Sequence, residues 1–127
     1  RETRSPDVEA VLDADAVREL QAVPETVRVD EDVLDYVVDL ARASRGDPRV
    51  AVGVSPRGTQ RLFETARARA TIAGRAYVTP DHVKAVAPAV LAHRLVLTPD
   101  AQVDGVAGRE VVEELLGRVP VPTVEDA

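Results

Sequence analysis

The chain has 127 residues, of which 45% are hydrophobic, 30% charged and 2% aromatic, and 22 acidic against 16 basic side chains leave a net charge of −6. That is one globular domain rather than two, and neither a disordered nor a fibrous chain. The acidic balance speaks against a general binder of nucleic acid or anionic membrane, although it leaves room for a local basic site.

Start signals and apolar spacing mark five helices. The first covers about residues 13–23: Asp13 caps it, Leu12 and Val17 have the spacing of a hydrophobic staple, and Pro24 ends it. The second begins at Asp30, ends near Gly46, and carries Val33, Leu34, Val37, Val38, Leu40 and Ala41 along one stripe. The third opens at Ser55-Pro56, a cap residue followed by proline at the first helical position. It turns Leu62, Phe63, Ala66, Ala70 and Ala73 inward, and Gly74 closes it. The fourth repeats that entry at Thr79-Pro80-Asp81, with Val83, Val86, Val90 and Leu91 apolar and Pro88 expected to kink or split it. The fifth covers about residues 108–119, with Val111, Val112, Leu115 and Leu116 as its apolar side.

Between the helices lie Val27-Arg28-Val29, Tyr77-Val78 and Leu95-Val96-Leu97, too short for more than isolated bridges. The expected fold is all-α: a small bundle of four to five helices with at most isolated short β-bridges. The aromatic set is Phe63, Tyr36 and Tyr77, so Val, Leu and Ala must build the core and stacking on bases has little to work with. Both tyrosines are expected at the core edge with wet hydroxyls. Lys84 is the only lysine, which suits either a high-salt cytosol or a GC-rich genome.

Several chemistries lack their residues. There is no cysteine, hence no disulfide, thiol nucleophile or thiolate metal site. A phosphate-cradling loop needs Gly-x-x-x-x-Gly-Lys before Ser or Thr, and Lys84 is followed by Ala85 with no glycine loop before it. His82 and His93 lack the i, i+4 spacing of a helical zinc site, and no metal site is expected. Gly53-Val54-Ser55-Pro56-Arg57 has arginine where a hydrolase elbow needs its second glycine. No run approaches the roughly 18 apolar residues of a membrane span. The first residues, Arg1-Glu2-Thr3-Arg4-Ser5-Pro6, lack an initiator Met and the apolar stretch of a signal peptide, and read as a cut within a longer cytoplasmic chain.

The informative spot is Ser55-Pro56-Arg57. Capping logic places Arg57 in the first turn of the third helix, where unpaired amides and the macrodipole already give positive potential. A cation there is locally unfavourable, and an added anion reverses the sign. Arg61 follows one turn later, and Gly58 leaves room for close approach. The structural alternative is that Arg57 reaches back to an acidic neighbour. Arg67 and Arg69 read as a solvated face, as do Glu31-Asp32 and Glu113-Glu114. His93 and Arg94 suit the negative end of the fourth helix, and His82 reads as exposed and passive.

The order of motifs resembles the C-terminal lid of MoxR-family AAA+ ATPases. The likeness runs from Val27-Arg28-Val29 through Gly53-Val54-Ser55-Pro56-Arg57, residues 74–83 and residues 87–95 to Val119-Pro120-Val121-Pro122, about residues 12–122 in all. It implies a linker from an N-terminal ATPase core over residues 1–11, a helical lid over 12–119 and an extended tail over 120–127. It also implies that Arg57 is the sensor 2 residue contacting the γ-phosphate of ATP, with Ser55, Gly58 and Arg61 as weaker nucleotide-binding candidates. Gly58 and Phe63 depart from the Ala and Leu often found at those positions. The phosphate loop, Mg²⁺ site, sensor 1 and arginine finger belong to the core, so this stretch alone is expected neither to hydrolyse ATP nor to hold Mg²⁺. The implied partners are that core, neighbouring subunits of a hexameric ring, and a client protein matured by a chaperone-like ATPase, with no DNA and no membrane. Two other readings stay open: a free-standing acidic helical protein-interaction module without nucleotide binding, and a helix-turn-helix. The connection from Gly46 to Ser55 is too long for the latter's usual turn.

Overall fold

Each of the five expected helices forms, and side-chain caps mark where the first, third and fourth of them begin. In the computed structural model, which describes residues 8–123, α1 spans Ala14–Ala22, with Asp13 Oδ1 accepting from the Ala16 amide at 2.8 Å. A 3₁₀ turn, Val23–Thr26, follows it, and α2 spans Glu31–Gly46. Helix α3, Pro56–Ile72, starts at the Ser55 cap and closes on Gly74 at φ +71°, a left-handed position that glycine occupies without strain. Helix α4, Pro80–Leu91, starts at the Thr79 cap and runs into a 3₁₀ turn, Ala92–Arg94. Pro88 is buried inside α4 without splitting it; the change to 3₁₀ geometry comes only after Leu91. Helices α5, Pro99–Val103, and α6, Gly108–Arg118, complete six among the described residues.

The all-α reading holds, with two additions. Helix α5 begins at Thr98-Pro99-Asp100, the same signal as Thr79-Pro80-Asp81, and Thr98 Oγ1 accepts from the Ala101 amide at 3.2 Å. The second addition is a short antiparallel ladder instead of isolated bridges alone: β1 (Val50–Val52) pairs with β2 (Val96–Leu97), Val50 opposite Leu97 and Val52 opposite Val96. The sequence does not announce the strand at Val50-Ala51-Val52, because a three-residue run is stabilised only by its partner. Two of the short segments do form an isolated bridge, Arg28 with Tyr77 in parallel sense.

Valine, leucine and alanine from α2, α3, α4 and α6 build a continuous core. Tyr36 lies within it at 1% exposure, and its hydroxyl has no partner among the described residues, which corrects the expectation of a wet hydroxyl. Burial pushes its pKa up, with the charge of Asp81 adding to the shift. Leu34 and Val38, expected on the inner stripe of α2, are only partly covered, at 40% and 39% exposure. Helix α1 buries none of its residues, and Val17 and Leu20 are among its exposed apolar side chains.

One charged network ties α2 and β1 to α6. Asp47, with a side chain 1% exposed, accepts from Arg49 at both oxygens, Nε at 3.0 Å and Nη2 at 2.8 Å, and from Arg118 Nη2 at 3.4 Å. Arg49 also pairs with Glu114 of α6. The Arg49 hydrogen bonds hold the Asp47 carboxyl well below the usual carboxylate range, against the opposing effect of burial. Because the folded pKa is depressed, this stabilisation is complete above the unfolded value near 3.9 and is lost as the pH falls below it. Asp47→Asn is expected to lower stability at pH 7 by about 2–3 kcal/mol in urea denaturation, the gap closing as the pH drops through about 4. An unchanged midpoint at pH 7 would remove the network from the account of stability.

Candidate functional site

The segment Gly53-Val54-Ser55-Pro56-Arg57 joins β1 to α3 and is fixed from both sides. Val54 is 1% exposed; its amide donates to Ser44 Oγ at 2.9 Å, and its carbonyl accepts from Arg45 Nε at 3.1 Å and Nη2 at 2.9 Å. Ser55 then caps α3, its hydroxyl accepting from the Gly58 amide at 3.1 Å, and Pro56 takes the first helical position. Arg57 is therefore in the first turn, as capping logic requires, and is exposed.

No acidic residue lies in that turn, and among the described residues the Arg57 guanidinium has no ion pair or hydrogen bond. The structural alternative of an acidic neighbour is thus not realised here. Arg57 lines a surface groove of about 510 Å³ with Pro56, Gln60, Arg61 and Glu64. Arg61 faces the same groove and pairs with Glu64 at 3.5 Å, so its charge already has a local partner. Both side chains of that pair are about half exposed, which keeps the pair weak.

The amides contribute less than a bare helix start would. Pro56 has no N–H, and the Gly58 amide is taken by Ser55, so the positive potential rests on the guanidinium, the helix dipole and the Arg57 amide. Gly58 is buried: a Cβ there would stand 3.0 Å from Val54 Cγ1 and 3.3 Å from Arg94 Cδ. The space its missing side chain leaves is filled by these two residues.

Arg67 departs from the expected solvated face. It is half-buried, lies over the Phe63 ring with its guanidinium 5.3 Å from the centroid, and donates to the Glu25 carbonyl. It thereby holds the first 3₁₀ turn against α3, while Arg69 is exposed as expected. Glu31, Asp32, Glu113 and Glu114 are exposed too, Glu113 pairing with Arg109 at 3.2 Å and Glu114 with Arg49. His93 is exposed after α4; Arg94 is half-buried, its Nε enclosed without a partner among the described residues. Ser44 and Arg45 carry no local sequence signal, since their bonds to Val54 span ten and nine residues and exist only once β1 has brought the chain back. No three His, Asp or Glu side chains gather as a metal site among the described residues, and no helix there is long and apolar enough to cross a membrane.

The sequence profile of the AAA lid domain matches residues 42–115, more than half of the chain. The uncharacterized protein YeaC of Bacillus subtilis is 37% identical over 108 residues, covering 85% of this chain and 34% of that protein. Chaperone MoxR1 of Mycobacterium tuberculosis is 34% identical over 128 residues, covering 94% of this chain and 34% of that protein. A solved structure of a candidate ATPase from Cytophaga hutchinsonii superposes with a TM-score of 0.80 at 26% identity, covering 86% of this chain and 36% of that one. The chain spans about a third of the length of the relatives it matches.

His82 is not passive. It is half-buried, and the Thr79 amide donates to its Nδ1 at 3.0 Å while Thr79 Oγ1 accepts from the His82 amide at 3.4 Å, a reciprocal cap on α4. That bond places the neutral ring's proton on Nε2. Burial pulls the pKa below its ordinary 6.5, with Arg75 and Arg69 adding to the effect and Asp81 opposing it. The cap therefore contributes fully above pH 6.5 and is lost as the pH falls below it. His82→Gln, which can still accept the Thr79 amide, is expected to abolish the drop in thermal stability of up to about 1 kcal/mol between pH 7 and 5. The same drop in the variant would exclude His82 as its origin.

Proposed function

The chain belongs to the AAA lid domain family, as a lid of the MoxR type, and from that premise we propose that it closes over ATP bound to the nucleotide-binding core of its own polypeptide. Arg57 is the residue that senses the γ-phosphate. The observation that carries this reading is an arginine on the first turn of α3, exposed in a groove and without a carboxylate partner among the described residues. A guanidinium can fork two N–H donors onto phosphate oxygens, and the α3 dipole strengthens the attraction. Ser55 sets the helix start from which Arg57 projects, and Arg61 adds a second cation to the groove while sharing its charge with Glu64.

The lid in this reading performs no bond-breaking step. Arg57 adds a charge-assisted contact that exists while the terminal phosphate is in place, and hydrolysis removes it. The lid then changes its position relative to the core, as in other devices held by a terminal phosphate. Mg²⁺ and the catalytic groups belong to the core. The whole protein acts in a ring as a chaperone-like ATPase on a client protein, in line with the name of the mycobacterial relative.

Arg57→Ala in the full-length ATPase is expected to lower ATP turnover on the order of 10- to 100-fold while the helical circular dichroism of the lid is retained. Wild-type turnover in that variant would sink the sensor assignment. A full-length protein without any ATPase activity would favour the protein-interaction module instead.

A further inference from the structure

Two consecutive residues of the last turn of α2 hold both backbone polar groups of Val54. Ser44, fully buried, accepts the Val54 amide at 2.9 Å and donates its own proton to the Ala41 carbonyl. Arg45 places Nε and Nη2 on the Val54 carbonyl at 3.1 and 2.9 Å. The approach is so close that Gly53 tolerates no side chain: a Cβ there would stand 2.8 Å from the Arg45 amide nitrogen and 2.9 Å from its Cα.

Arg45 is exposed, and in that position a cation at the end of a helix is satisfied by water and the dipole alone. Its fork instead closes on one carbonyl, whose residue is buried and sits three positions before Arg57. Little freedom separates the two, because Ser55 is locked to Gly58 and Pro56 has a fixed φ. The direction in which α3 leaves the loop, and with it the placement of Arg57, is thus set from α2.

We propose that Arg45 and Ser44 are positioning residues for Arg57, an inference that rests on the sensor reading above. They touch no nucleotide. They fix the backbone from which the sensor reaches, and misplacing a charged group by about 1 Å is enough to cost up to two orders of magnitude in rate.

The test is a double-mutant cycle on ATP turnover in the full-length ATPase, using Arg45→Met, Arg57→Ala and the double variant. Methionine keeps a stem against Gly53 and removes both donors. Arg45→Met is expected to lower turnover by about three- to tenfold in the wild-type background and to add less than about twofold to Arg57→Ala. It is also expected to weaken binding of ATP more than of ADP, which lacks the group Arg57 contacts; general loosening of the lid would weaken both alike. Arg45→Lys, with one donor left, should recover part of the loss. Full additivity, equal weakening of ATP and ADP, or wild-type turnover in Arg45→Met beside an impaired Arg57→Ala would each overturn the positioning role and leave the sensor reading standing. Wild-type turnover in Arg57→Ala would overturn both.

Discussion

The architecture depends on helix ends that meet backbone to backbone, and glycine is what permits it. A Cβ on Gly108 would stand 2.3 Å from the Ala92 carbonyl oxygen, so α6 can start against the end of α4 only where no side chain intervenes. Gly53 plays the same part against the backbone of Arg45, and Gly58 gives its space to Val54 and Arg94. The cause lies in the composition. With Tyr36 as the single aromatic side chain among the buried hydrophobic residues, short chains such as Ala41, Ala66, Ala70 and Ala87 must fill the core, and the elements must approach closely for them to touch.

Arginine supplies much of the remaining cross-linking. Arg49 and Arg118 converge on the buried Asp47, Arg67 ties the first 3₁₀ turn to α3 through Glu25, and Arg28 pairs with Asp30 at 3.0 Å while lying over the Tyr77 ring. Arg45 serves a carbonyl. Arg49 and Arg45 each place two guanidinium nitrogens on one partner, a planar fork that a lysine cannot offer. Arg57 stands apart from this set, because the fold holds its backbone firmly and gives its guanidinium no counter-charge among the described residues. That combination of a rigid base and an open charge suits a contact made with something outside the chain.

Much of this was legible beforehand where the signal is local. Ser55-Pro56, Thr79-Pro80 and Asp13 announce helix starts because the capping side chain and the amide it satisfies lie within three residues of each other. Thr98-Pro99 carries the same signal for α5 and was readable on the same grounds. Arg57 could be placed for the same reason. The departures are non-local: β1 exists because β2 pairs with it, Arg67 is half-buried because the first 3₁₀ turn packs against it, and Tyr36 loses water because α2 sinks into the core. Leu34 and Val38 show the limit of periodicity, which marks an apolar stripe without saying how much of its width the neighbours cover.

By itself, then, the sequence determined the helical class, the helix starts, the lid resemblance and the position of Arg57 on the first turn of α3. These follow from contacts within a few residues, where propensity, capping and proline geometry act directly. The tertiary structure decided that Arg57 has no acidic partner among the described residues, that Gly58 faces the core rather than open space, and that Ser44 and Arg45 grip Val54. Those outcomes depend on which surfaces meet when α2 and α3 pack and β1 returns the chain between them. Such meetings join residues whose spacing along the chain carries no pattern of its own.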